Sequence, residues 1–231
     1  MRLNADFSQR VAVHAATLPW VPSPTAGVSR RMLHREGDEV ARATTIVKYE
    51  PGSQFSSHQH GGGEEFLVLD GVFHDEYGSY PTGTYVRNPP GSFHTPGSEE
   101  GCILFVKLWQ FDPQDRTDTQ LNIERMARIA DARRLGVLVS PLYRDRREDV
   151  RVEVWTANAQ IELDLPLGGE ILVLEGGFAE SGEVFTPQSW LRLPPGDVLR
   201  ARTGWRGAKV WLKQGHLALT PGRAPAKEAE A

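Results

Sequence analysis

Cysteine is nearly absent: Cys102 stands alone in 231 residues. A single thiol makes neither an internal disulfide nor a thiolate-based zinc cluster, so any metal site must be built from histidine and carboxylate. Long apolar runs are missing too. Stretches such as Phe66–Leu69 and Ile171–Leu174 fall far short of the roughly 20 residues that cross a bilayer as a helix. The opening MRLNADFSQR has no apolar leader segment, so the expected compartment is the cytoplasm and no membrane partner is expected. Charge of one sign is not massed either. The net charge is −4, and Arg144, Arg146 and Arg147 are balanced by Asp145, Glu148 and Asp149. This excludes a basic nucleic-acid face.

Glycine (23) and proline (16) are plentiful and spread along the chain. Between them lie short β-rich runs: Thr44–Tyr49, Glu65–Leu69, Thr84–Arg87 and Ile103–Trp109, then Val150–Trp155, Gln160–Leu165, Glu170–Leu174, Trp190–Leu193 and Lys209–Gln214. Short strands punctuated by turn residues indicate an all-β sandwich or barrel. The two halves also share residues. EFLVLDGVF at Glu65–Phe73 matches EILVLEGGF at Glu170–Phe178, and NPPGSFH at Asn88–His94 matches LPPGDVL at Leu193–Leu199, both at an offset of 105. Two blocks in one register mark a duplication. Upstream the register slips, and Gly27 pairs with Gly136. The expected division is 1–113, 114–220 and a disordered tail over 221–231. Asp112–Thr119 reads as a linker, and Glu124–Leu135 as a short helix with Met126, Ile129 and Ala130 on one face.

Histidine is not enriched, but its spacing is informative. Gly52 is followed after five residues by His58-Gln59-His60, then Glu64, then Gly71. Gly83 is followed after five residues by Pro89-Pro90-Gly91 and then His94. Residues i and i+2 of a strand share a face, about 6.6 Å apart. His58 and His60 can therefore point together, Gly61–Gly63 turn the chain toward Glu64, and the Pro-Pro-Gly turn brings His94 from another strand. Three imidazoles and a carboxylate suit zinc, iron, manganese, nickel or copper better than calcium or magnesium. At the offset of 105 these positions become Leu163, Leu165, Gly169 and Leu199. The second half is expected to bind no metal, so the expectation is one divalent metal per chain. The other histidines, His14, His34, His74 and His216, match no ligand spacing and read as surface or structural residues.

The spacing resembles the two-part motif of the cupin superfamily at every position but the last, where Ser98 replaces asparagine. The implied fold is a bicupin: two tandem jelly-roll barrels. His58–Pro96, and more loosely residues 20–112, resembles the ChrR-type cupin, found as the C-terminal domain of zinc anti-sigma factors in singlet-oxygen and peroxide responses. That resemblance implies zinc at His58, His60, Glu64 and His94, with iron, manganese or nickel as alternatives. It also implies a homodimer as the assembly. The sigma-gripping helical domain has no counterpart here, since no HxxxCxxC occurs, so direct sigma-factor binding is not expected.

Two functions follow from the resemblance: a zinc-bound sensor of oxidative stress, or a non-haem iron dioxygenase cleaving a small diketone- or hydroxyacetophenone-like substrate. For the enzyme, the candidates are Glu64 as a detachable base, with Tyr85 and Arg87 as substrate contacts if their shared face points inward. The competing reading of Arg87 is a salt bridge at the barrel rim. Cys102, opening an apolar strand, reads as a buried, inert thiol.

Overall fold

The computed structural model describes residues 1–38 and 40–217. It is β throughout; Ala15–Thr17 forms a single turn of 3-10 helix. Among the described residues no helix is long and apolar enough to cross a membrane. The tail expected over 221–231 lies outside them.

The chain divides into two compact units. In the first, the strands run in the order Arg2–Leu3, Val28–Gly37, Ala41–Tyr49, Cys102–Leu108, Glu64–Asp75, Thr84–Asn88, Thr119–Asn122. In the second, the order is Ile129–Ala130, Val137–Arg144, Asp149–Trp155, Asp197–Gln214, Gly169–Glu180, Ser189–Leu193, Val11–His14. From the second place to the last the two orders correspond, and Ile129–Ala130 has its counterpart in Val21–Pro22, which pairs with the start of Val28–Gly37; this is the duplication read as topology.

The last place in each order departs from the expected division at 113/114. Thr119–Asn122 pairs with Thr84–Asn88 and so completes the first unit. Val11–His14 pairs with Ser189–Leu193 and so belongs to the second. The first unit accordingly holds Met1–Ala5 and Pro19–Glu124, and Asp6–Leu18 joins the chain from Arg125 onward. Val11–His14 of the first repeat and Thr119–Asn122 of the second each close a sheet edge of the other repeat, satisfying backbone groups an open edge would expose.

The helix expected over 124–135 does not form. Ile129–Ala130 is a strand paired with Val137–Arg144, and Ser140 Oγ donates to the Ala127 carbonyl at 2.9 Å. Asp131 accepts from the amides of Arg133 and Arg134 at 2.8 and 3.1 Å. The Arg134 guanidinium spans Asp131 and the fully buried Glu153, each at 2.7 Å. This ion pairing with a distant strand overrides a weak helical pattern.

Each unit has its own apolar interior. In the first it gathers Val28, Phe66, Val68, Phe73, Val86 and Leu104, among others. Phe66 and Val68 lie two apart, yet Phe73 and later odd-numbered residues share their face. The cause is a register irregularity: Leu104 faces Val68 while Ile103 faces Asp70, leaving Leu69 unopposed. A bulge of this kind flips the alternation downstream. Gly71 follows it at φ +73°, where a Cβ would lie 2.1 Å from the Gly101 carbonyl oxygen.

Candidate metal centre

His58 lies directly opposite His94 in a short antiparallel pair, His58–Gln59 with Phe93–His94. His60 follows after one residue, and Glu64 opens the strand Glu64–Asp75. One ring nitrogen from each of His58, His60 and His94 lies within 4.8 Å of the others. Glu64 Oε2 sits 3.5 Å from His60 Nε2 and 3.6 Å from His94 Nε2. All four residues expected from the spacing thus converge. His60, Glu64 and His94 are buried, while His58 is exposed at the rim.

The turn that brings His60 and Glu64 together needs glycine for space as well as flexibility. A Cβ on Gly62 would fall 2.3 Å from the Trp109 ring, and one on Gly63 would fall 2.5 Å from the Phe111 ring. The two aromatic rings pack where side chains would otherwise stand.

The ring nitrogens are oriented for coordination. His58 Nδ1 lies 3.0 Å from the Ser56 carbonyl, and His94 Nδ1 lies 3.0 Å from Asp75 Oδ2. Both contacts place the ring proton on Nδ1 and leave Nε2 with its lone pair free. Nε2 of His60 and Nε2 of His94 are buried with no hydrogen-bond partner. A polar atom buried without a partner is costly; a cation at this point satisfies both. Burial, with the neighbouring His94 and His58, pulls the His60 pKa down and favours the neutral, ligating ring. At His94 burial acts the same way, but the Asp75 hydrogen bond and the charges of Glu64 and Asp75 outweigh it and raise the pKa. The donor set fits a divalent transition metal.

Spacing alone did not reveal Asp75 or Asn88. Asp75 accepts hydrogen bonds from the Tyr80 hydroxyl at 2.9 Å and the Tyr77 amide at 2.8 Å. Burial alone would raise its pKa, but these bonds and that from His94 hold it below the usual carboxylate value. Asn88 Nδ2 donates to Glu64 Oε2 at 3.2 Å. Strict alternation along Glu64–Asp75 puts Asp75 outside and His74 inside, and the bulge reverses both. His74 packs instead against Gly97 on the other side.

Tyr85 and Arg87 do not reach the metal centre. They occupy the face of Thr84–Asn88 opposite Val86 and Asn88, and both are fully buried. The Tyr85 hydroxyl donates to Glu65. Arg87 pairs with Asp115 at 2.9 Å and lies 4.3 Å over the Phe111 ring. The second unit repeats the constellation without any metal ligands: Trp190 Nε1 donates to Glu170 at 3.3 Å, and Arg192 lies 4.4 Å over Phe7. A feature kept where the ligands are lost serves packing, so Arg87 is a salt bridge, but a buried one and not one at the rim.

The metal cluster opens on a cavity of about 410 Å³ lined by Val28, Val47, Phe55, Phe73, Leu104 and other residues. In the second unit Leu163 faces Leu199 across the same pairing that sets His58 opposite His94. Leu165 and Leu199 are core residues, with Leu163 packed against them. A Cβ on Gly169, the counterpart of Glu64, would lie 2.9 Å from Leu165 Cδ2. Among the described residues, His58, His60 and His94 form the one candidate metal cluster.

Tandem β units, one carrying a three-histidine, one-glutamate cluster, define a bicupin. Residues 8–112 match the model of the ChrR cupin-like domain. A search of curated proteins returns no match. Solved structures share the fold across nearly the whole chain. A candidate dioxygenase from Nostoc punctiforme aligns with a TM-score of 0.72 at 12% identity, over 96% of this chain and 88% of that one. Ylba from E. coli aligns at 0.69 and 14%, over 90% and 92%. The bacterial pirin YhhW from E. coli, in complex with nickel(II), aligns at 0.64 and 12%, over 89% and 98%.

Proposed function

We propose that this protein is a metal-dependent enzyme of small oxygenated organic molecules, of the non-haem dioxygenase type. The observation that carries the reading is the cavity of about 410 Å³ that His58, His60 and Glu64 line. A purely structural zinc site is closed by its four protein ligands and has no need of adjoining space. The volume here falls in the range of small-ligand pockets. His58, His60, Glu64 and His94 would hold the ion. A redox-active ion held there would supply Lewis acidity and electrons for oxygen chemistry.

The chain's own groups supply the rest. The apolar walls exclude water. Asp75 keeps His94 in the ligating tautomer, and Asn88 steadies Glu64. Tyr49 lines the cavity, and its hydroxyl stays protonated, because burial and the nearby Glu64 charge push its pKa well up. It is a hydrogen-bond donor to whatever oxygen lies in front of it.

The structural resemblance to a candidate dioxygenase and a nickel-bound pirin is consistent with this reading, and the ChrR likeness keeps the zinc sensor as its rival. Mass spectrometry of the purified protein identifies the bound metal, and oxygen consumption with β-diketones and hydroxyacetophenones follows iron loading. Iron-dependent turnover, lost with the metal in a His60→Ala/His94→Ala double variant, is the expected result. Zinc alone with no turnover would overturn the enzyme and leave the sensor.

A further inference from the structure

Two arginines line the same cavity as the metal ligands. Arg30 and Arg35 lie on the strand Val28–Gly37, and a register irregularity between Met32 and His34 brings them to one side. They also border a smaller recess of about 320 Å³ beside Val21 and Thr25, and so form the wall between the two spaces. Arg30 is the informative one. Its guanidinium donates to the Ser23 hydroxyl. Among the described residues no carboxylate lies within ion-pair distance of it. Burial pulls its pKa down, and its charge in turn acts against Arg35. A partly buried cation beside a second cation, facing apolar walls, lacks a counter-charge.

Tyr49 lines the same cavity. Its ring is held edge-on to Phe73 and tilted against Phe55, each at 5.6 Å. The charges of Glu64 and Arg30 both act on it, in opposite senses. The residue is buried, yet no hydrogen bond to its hydroxyl is found among the described residues. A metal cluster, an unsatisfied phenol and a guanidinium without a carboxylate thus share one small space.

We propose that the cavity binds a small organic acid, its chelating oxygen end at the His58, His60, Glu64 and His94 cluster and its carboxylate on Arg30, with Tyr49 donating a hydrogen bond between them. Arginine suits this role because its planar fork meets both carboxylate oxygens. The inference rests on the metal-enzyme reading and narrows it from oxygenated molecules in general to those carrying a negative charge remote from the metal.

The test uses the full chain loaded with cobalt(II), whose visible absorption reports ligands entering the coordination sphere. The probes are 4,6-dioxoheptanoate and its methyl ester, which share a β-diketone for the metal and differ in the remote charge. The expected result is acid binding at least tenfold tighter than ester. Arg30→Met should abolish that preference while ester affinity and cobalt content stay as in the wild type. Arg30→Lys should keep part of it and serves if the methionine variant folds poorly. Tyr49→Phe should weaken acid and ester alike by several-fold. Equal affinity for acid and ester in cobalt-loaded wild type, or an undiminished preference in Arg30→Met, would overturn this inference and leave the metal reading standing. Failure of the wild type to take up cobalt would overturn both.

Discussion

Asp75 fixes which nitrogen of His94 faces the cluster. Its other oxygen is itself held by Tyr80 and the Tyr77 amide, so the orientation is supported from two sides. Asp75→Asn keeps the shape but removes the charge and permits the wrong tautomer. Partners of this kind typically contribute 10- to 100-fold to metal affinity. The expected outcome is a loss of about that size in competition against a chromophoric chelator, with the folded-state circular dichroism unchanged. At Cys102 the environment works against reactivity. Burial pushes the thiol up to about 11, so at pH 8 only about one part in a thousand is thiolate. The native protein should resist iodoacetamide at pH 8, and one thiol should titrate after unfolding. Rapid alkylation of the native state would show that the thiol is accessible and reactive.

Among the elements, the exchanged strands have the widest consequence. Val11–His14 lies far in sequence from Ser189–Leu193, yet they pair along the whole of the short strand. Ala12→Pro with Val13→Pro removes two consecutive donors, so at least one ladder bond fails whichever way the alternation falls. The cost should be about 2 kcal/mol from one or two net hydrogen bonds and the freed edge. That corresponds to a fall in Tm of several degrees for a chain of this size. An unchanged Tm would show that this edge contributes nothing. The bulge at Leu69 matters differently, since it decides that Asp75 and Phe73, rather than His74, face inward. Its counterpart recurs in the second unit, where the register shifts between Val173 and Glu175.

At the scale of the whole molecule, duplication followed by divergence leaves one metal centre and one filled interior. Leucines at 163, 165 and 199 occupy the second unit where histidines stand in the first. Metal analysis should therefore give one ion per chain, and the His60→Ala/His94→Ala variant should give none. A stoichiometry near two would place a second site outside the cluster described. Because the second interior is apolar and close-packed, it should hold most of the chain's resistance to unfolding after metal removal. Chelation should lower a transition assigned to the first unit and leave the second in place, as read by calorimetry with and without a strong chelator.

Local spacing determined much of this. The glycine and proline punctuation gave the strands, the offset of 105 gave the repeat, and the positions of His58, His60, Glu64 and His94 gave the ligands. These are legible because a strand has a period of two and a short motif keeps its parts within reach. Four things lay beyond that reach. The helix read at 124–135 was displaced by the pairing of Arg134 with Glu153, 19 residues away. Tyr85 and Arg87 were placed on a common face correctly, but only packing decided that the face was the buried outer one. Asp75 was hidden by a bulge that reverses the alternation. That Arg30 and Tyr49 line one cavity was decided by strands that are separate in sequence and meet only in the folded sheet. A sequence carries its own periodicities, whereas which face turns inward, and which distant charge answers a local one, is decided only when the sheets close.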